Sequence, residues 1–306
     1  FLVASPISHI GGSIYAFECP LLLGTTAVLM ESWHPDEGVE NLVGEHCTHF
    51  AGATPFLSQL LDAAQRAKTH LPDLKLFVCG GASVPPQLIR EASNYFERAV
   101  VTRVYGSTEV PVTTVGVTDR TDLTHAAETD GQIGIAQVKL IDEGGLEGDA
   151  GEVRAYGPQM LVGYVHWEDE ASVFDAQGYY RTGDLGRRID GRYLVITGRS
   201  KDIIIRNGEN IAPKEIEDLL AEHPDIAEIA IVGLPDSRTG ERACAVIVPK
   251  GTVHLDVASL YAFLDARKVT KFKIPEQVEI WDALPRNDAG KVLKHQICST
   301  LAQKSA

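Results

Sequence analysis

From about residue 8 to residue 117 the sequence alternates helix-period and strand-period text, and this alternation restricts the chain more than any other feature. A segment that switches repeatedly between the two periods can hide its apolar side chains only by layering helices on a mostly parallel sheet. Residues 54–67, TPFLSQLLDAAQRA, predict a helix: Thr54 can cap it, Pro55 suits the first turn, and Phe56, Leu57, Leu60, Leu61 and Ala64 share a face. Residues 74–79 form a short apolar run closed by Gly80-Gly81, and a helix follows over 85–96. A second strand at 100–104 runs into Tyr105-Gly106-Ser107-Thr108-Glu109. The expected fold class is α/β, with a doubly wound layer.

Polar, Gly-rich text over 119–149 marks a change of subdomain. Short strands with turn signals then run to Arg199, including an Asp190-Gly191 hairpin between the alternating runs 186–189 and 192–197. Beyond Lys201 come a three-isoleucine strand, an Asn207-Gly208 turn and a helix from Pro213 with Ile216, Leu219 and Leu220 inward. Strands at 227–233 and 243–248, a helix at 257–267 and a strand at 277–281 complete a compact α+β domain. The predicted division is therefore 1–118 (α/β), 119–200 (β-rich) and 201–306 (α+β).

Composition narrows the function. A length of 306 residues at 44% hydrophobic content suffices for two cores. The net charge of -14 argues against a nucleic-acid surface, because a duplex binder needs clustered Lys and Arg to displace counterions. Residues 1–200 carry 14 basic and 26 acidic side chains, whereas 201–306 carry 14 and 16, so a polyanionic ligand is met most easily in the last third. The five cysteines never form a CxxC pair, which suits a reducing cytoplasm and small buried hydrophobes and argues against zinc. The apolar stretch 14–30 is interrupted by Glu18, Pro20 and Gly24, too broken for an integral membrane segment, and reads as buried helix and strand. Oligomeric state is not encoded legibly.

Two blocks, GYYRTGD at 178–184 and ITGRSKDIIIRNGENIAPKEIE at 196–217, together with YGSTE at 105–109, give the chain its chemistry. At this length and specificity the sequence resembles the adenylate-forming superfamily of acyl-CoA synthetases, luciferases and peptide-synthetase adenylation domains. The resemblance implies an enzyme that activates a carboxylic acid as acyl-AMP, using ATP and Mg²⁺ and releasing pyrophosphate, and then passes the acyl group to CoA. It places Tyr105 and Gly106 against adenine, the Thr108 hydroxyl on phosphate, Glu109 on Mg²⁺, and Gly80, Gly81 and Ala82 along the adenine and acyl pockets. Asp184 and Arg199 would grip the ribose hydroxyls, with Ile196 beside the nucleotide, and His9 would border the acyl pocket.

The block LPRNDAGKVLK at 284–294 resembles the superfamily's last motif, in which a Gly-Lys loop delivers an ammonium to the reacting carboxylate and α-phosphate; that residue is Lys291. Lys201 would be the hinge about which the C-terminal domain swings, removing Lys291 and bringing in Gly208, whose missing side chain leaves room for pantetheine. Asn207-Gly208 also reads as a hairpin turn, and both readings hold together. Lys271 and Lys273 are solvated surface charge in one reading and CoA phosphate contacts in another. The chain starts at Phe1 and contains no Ser/Thr/Gly-rich loop ending in Lys, which the superfamily carries ahead of the block with His9. It is therefore expected to be an N-terminally truncated piece, inactive alone. A fatty, alicyclic or aromatic monocarboxylic acid is the expected substrate; a carrier-protein-loading adenylation domain and an inactive AMP-binding fragment are the alternatives.

Overall fold

The structure, a computed structural model, describes residues 1–170, 172–287 and 290–304. Its described residues separate into two compact units, the first holding residues 1–170, 172–182, 186–196 and 290–291, the second 183–185, 197–287 and 292–304.

The first unit opens with five short strands: β1 (Leu2–Val3), β2 (Val28–Leu29), β3 (His49–Gly52), β4 (Leu76–Cys79) and β5 (Val100–Arg103). They form one sheet in the order β2-β1-β3-β4-β5, with every pairing parallel. Parallel strands need crossovers, and helices Pro35–Gly44, Thr54–Arg66 and Pro86–Tyr95 supply them. The helix Thr54–Arg66 buries Phe56, Leu57, Leu60, Leu61, Ala63 and Ala64 on the sheet side. Each large side chain so buried contributes about 1.5–3 kcal/mol. Phe50 meets Phe77 edge-on at 5.0 Å in the middle of this core.

Two expectations for this layer need correction. The cap of the helix Thr54–Arg66 is Ala53, not Thr54. Thr54 already holds a helical position, so its hydroxyl cannot reach forward as a cap and instead donates to the Ser83 carbonyl at 2.7 Å. The stretch 14–30 forms a π-turn (Ile14–Glu18), a helix (Cys19–Leu23) and β2, but it is not buried throughout. Ala16 and Pro20, one turn apart, face inward, and this turns Phe17 (48% exposed) and Leu21 to Leu23 (64–84%) outward.

The β-rich part contains β6 (Thr114–Val115), β7 (Gln132–Ile133), β8 (Gln137–Ile141), β9 (Ala150–Tyr156), β10 (Tyr180–Ile189) and β11 (Tyr193–Arg199). Their order is β6-β7-β11-β10-β9-β8. Asp190 (φ 49°) and Gly191 (φ 71°) connect β10 to β11 in the doubly left-handed geometry that a two-residue hairpin prefers.

The tip of that hairpin is clasped to the helix Leu123–Glu128. His125 lies with Nδ1 2.8 Å from Asp122 and Nε2 3.0 Å from Asp190, its ring stacked 3.9 Å from Tyr193. Arg192 lies over that same tyrosine ring. Hydrogen bonds to Asp190 and Asp122 raise the His125 pKa above the ordinary histidine value. A raised folded-state pKa gives stability that is fully present below the unfolded value of about 6.5 and is lost as pH rises through the folded value. Thermal unfolding of wild type is therefore expected to show a decrease in stability through that window that His125→Gln lacks; identical pH profiles would remove the clasp.

The second unit is built on β12 (Ile204–Arg206), β13 (Glu209–Ile211), β14 (Ile226–Asp236), β15 (Gly240–Pro249) and β16 (Gln277–Ile280), in the order β13-β12-β15-β14, with β16 parallel to β15. Asn207 (φ 52°) and Gly208 (φ 81°) make the β12–β13 turn. Alternate residues of β14 and β15 serve two cores, as a period of two requires. Ile231, Ala243, Ala245 and Ile247 pack with Ile216 and Leu220 of helix Pro213–Leu220 and Leu260 and Leu264 of helix Val257–Ala266. Val232, Leu234, Cys244 and Val246 pack with Ile297 and Leu301 of helix Lys294–Lys304. Cys47, Cys79 and Cys244 are buried, and burial pushes the Cys79 and Cys244 thiols up to about 12. Among the described residues, no helix is long and apolar enough to cross a membrane.

Candidate functional site

In an open parallel sheet, ligands bind beyond the carboxyl ends of the strands at the point where strand order reverses. In the first unit that point falls between β1 and β3, because the chain goes out to β2 on one side and to β3, β4 and β5 on the other. β1 runs into residues 4–9, β3 into Ala53 and Thr54, β4 into Gly80-Gly81-Ala82, and β5 through Val104 into Tyr105 to Glu109. Three of the blocks singled out from sequence, those of His9, Gly80 to Ala82 and Tyr105 to Glu109, thus leave the same end of one sheet.

Local chemistry fixes the shape of these loops. A side-chain carbon on Gly80 would lie 2.9 Å from Val104 Cγ2 and 3.0 Å from the Val104 carbonyl, so only glycine lets the β4 turn approach the start of the YGSTE block. Tyr105 donates its N–H to Thr114 Oγ1 at 2.8 Å and accepts from Thr114 N–H at 3.0 Å. Its half-buried ring packs against the apolar cluster of Val138, Leu140, Val153 and Leu194, as do Ile133 and Ile196. Ser107 closes the turn by accepting the Val110 N–H at 3.1 Å, leaving Gly106 and Thr108 exposed.

Glu109 is half-buried and accepts a hydrogen bond from the Tyr164 hydroxyl at 3.1 Å. Tyr180, 9% exposed, also has Tyr164 and Glu109 as hydrogen-bond partners. Burial first, and then these partners, push the Tyr180 hydroxyl well above the ordinary tyrosine range, so it stays a neutral donor. The two tyrosines went unread in the sequence, although Tyr180 lies inside the GYYRTGD block. His9 is exposed, and its Nδ1 accepts the Gly11 N–H at 3.1 Å as the cap of a helical turn. Gly290, also in this unit, lies against Pro55 and Ala53, and Lys291 beside it is half-buried. Asp288 and Ala289 of the same block lie outside the described residues.

In the second unit, Gly183 is left-handed (φ 68°) inside β10, a local break in the strand's pleat, and Asp184 follows it at 6% exposure. Arg199 ends β11 and places Nε 2.8 Å from Asp184 Oδ1, so the two expected ribose partners are brought together. Ser200 ties the next turn to the Gly183 carbonyl at 3.0 Å, and Lys201 is exposed in the turn Ser200–Asp202. Gly208 is exposed at the tip of the β12–β13 turn. Lys273 is paired with Glu215 at 2.7 Å.

Family comparison gives this arrangement its context. A family model described as AMP-binding enzyme matches residues 1–165, and one described as AMP-binding enzyme C-terminal domain matches residues 215–291. A medium-chain fatty-acid–CoA ligase of Escherichia coli strain K12 is 35% identical over 302 residues, covering 96% of this chain and 52% of that protein. An indoleacetate–CoA ligase of Aromatoleum aromaticum is 33% identical, covering 99% of this chain and 60% of that one. Among solved structures, ATP-bound MatB from Rhodopseudomonas palustris superposes with a TM-score of 0.88 at 30% identity, over 98% of this chain and 59% of that one. The chain thus spans between half and two thirds of the length of these proteins.

Proposed function

The chain belongs to the AMP-binding enzyme family, and on that premise we propose that the protein is an AMP-forming acid–CoA ligase. It joins a monocarboxylic acid of fatty, alicyclic or aromatic character to ATP as acyl-AMP, releases pyrophosphate, and transfers the acyl group to the CoA thiol. The observation that carries this reading is the convergence of the β1, β3, β4 and β5 loops at one sheet edge, with the YGSTE carboxylate accepting the Tyr164 hydroxyl. The 35% identity to a medium-chain fatty-acid–CoA ligase favours an apolar acid and a free CoA acceptor.

The roles follow from residue chemistry. Attack of a carboxylate on the α-phosphate brings two anions together, so positioning and electrostatics carry the step. In this proposal Tyr105, Gly106, Ile196 and the 80–82 turn border the base, and Thr108 donates to phosphate. Asp184 accepts from the ribose hydroxyls with Arg199 beside it, Lys291 neutralises the reacting oxygens, and His9 borders the acid. Glu109 fits a nucleotide-borne Mg²⁺, since one half-buried carboxylate completed by phosphate and water is a donor set that Mg²⁺ commonly uses. Bound there, the ion would offset the phosphate charge. Lys201 is the hinge and Gly208 the pantetheine-facing turn of the second half-reaction. A cytoplasmic location suits the free thiols.

The test is pyrophosphate release by the full-length protein over a panel of carboxylic acids, with and without CoA. Release with an apolar acid, and thioester only when CoA is added, is expected. Acyl transfer to a carrier-protein thiol in preference to CoA would replace the acceptor, and no release with any acid would remove the ligase reading.

A further inference from the structure

Arg103 closes β5 with 3% exposure, at a place where a parallel strand ordinarily carries an apolar side chain. Its guanidinium donates through Nε (3.1 Å) and Nη2 (2.5 Å) to Asp130 Oδ1, and through Nη1 (2.7 Å) to the Ala127 carbonyl. Asp130 is itself 8% exposed. A buried ion pair adds little net stability, because desolvation offsets most of the attraction, and its best-attested benefit is fixing register. The other bonds made by Asp130 indicate which register. Its Oδ2 accepts the Ile196 N–H at 2.8 Å, its own N–H donates to the Leu194 carbonyl at 2.7 Å, and its carbonyl accepts from Thr114 Oγ1. That same Thr114 oxygen receives the Tyr105 N–H at 2.8 Å.

Asp130 is therefore bonded directly to Ile196 and through one hydroxyl to Tyr105, the two residues placed beside the nucleotide base in the reading above. We propose that Asp130, anchored by Arg103, is a positioning residue that sets the separation between the Tyr105 turn and the Ile196 strand, and with it the affinity for ATP. The inference rests on that nucleotide reading. The carboxylate touches no substrate; it acts through the backbone of β11 and through Thr114. Its charge fixes it on the guanidinium, and its second oxygen then holds the Ile196 amide at one height.

The test compares wild type, Asp130→Asn and the double variant Arg103→Met/Asp130→Asn in the full-length protein. Asparagine keeps an oxygen for the Ile196 N–H but loses the charge that anchors it, and the double variant leaves no buried charge unpaired, so it remains folded where the single variant fails. In the double variant the KM for ATP and the ATP dissociation constant are expected to rise about 10-fold, the loss of about 1.4 kcal/mol of contact with the base. The kcat and the KM for the acid stay near wild type, the pattern of lost uniform binding of one substrate. Unchanged ATP affinity at a wild-type melting temperature overturns the proposal, as does a parallel decline of every constant with the melting temperature. Equilibrium dialysis reads ATP affinity without any acid. A wild type that binds ATP but turns over no acid removes the ligase reading while the dissociation constants still decide this one; a wild type that binds no ATP overturns both.

Discussion

Lys291→Ala in the full-length protein is expected to lower acyl-adenylate formation by about 10²–10³, the effect of removing one donor aimed at charge that develops in the transition state. The acid and the α-phosphate both carry negative charge, and an ammonium between them is worth most when they are closest. Binding of ATP, measured separately, is expected to change little, since in the proposed role the charge that Lys291 meets is concentrated at the reacting oxygens. Thioester formation from supplied acyl-AMP and CoA is expected to survive, because by then the phosphate attack is complete. Single-turnover measurement of each half-reaction separates the two. An equal decline in both half-reactions would show that Lys291 supports the fold or the acyl pocket and does not serve the adenylation step. Its neighbour Gly290, packed against Pro55 and Ala53 with φ at 80°, provides a control: Gly290→Ala strains that loop without removing charge.

What was legible in the sequence was local chemistry. The Gly80-Gly81 turn, the Asp190-Gly191 and Asn207-Gly208 hairpins and the helix face of Ile216 and Leu220 each depend on residues within a few positions, and each forms where the text places it. The opposite holds for features made by distance along the chain. Arg103 and Asp130 are 27 residues apart, and Tyr164 reaches Glu109 across 55. No periodicity encodes such a meeting. Thr54 shows the intermediate case, in which a residue suited to capping is used for a tertiary bond to Ser83 because the helix begins one position earlier than its composition suggests. The exposed leucines 21–23 make the same point in reverse, since apolar text specifies what gains from burial and not what covers it.

The second large effect is expected at Asp184. A carboxylate hydrogen bond to a ribose hydroxyl is charge-assisted and worth about 1.5–3 kcal/mol, so losing it raises the KM for ATP by about 10- to 100-fold. The present geometry limits the accompanying loss of stability. Asp184 is 6% exposed, but its partner Arg199 has 37% of its side chain in solvent and can be hydrated when the carboxylate goes. Partly exposed pairs of this kind are worth up to about 1 kcal/mol, well short of unfolding a domain. Asp184→Ala is therefore expected to fold and to fail on nucleotide affinity. Specificity gives the sharper test: on the proposed role wild type is expected to prefer ATP to 2′-deoxy-ATP, which leaves a carboxylate lone pair without its hydroxyl, and Asp184→Ala is expected to lose that preference. If the variant discriminates between the two nucleotides as wild type does, the Asp184–Arg199 pair is structural, and the ribose hydroxyls are read elsewhere.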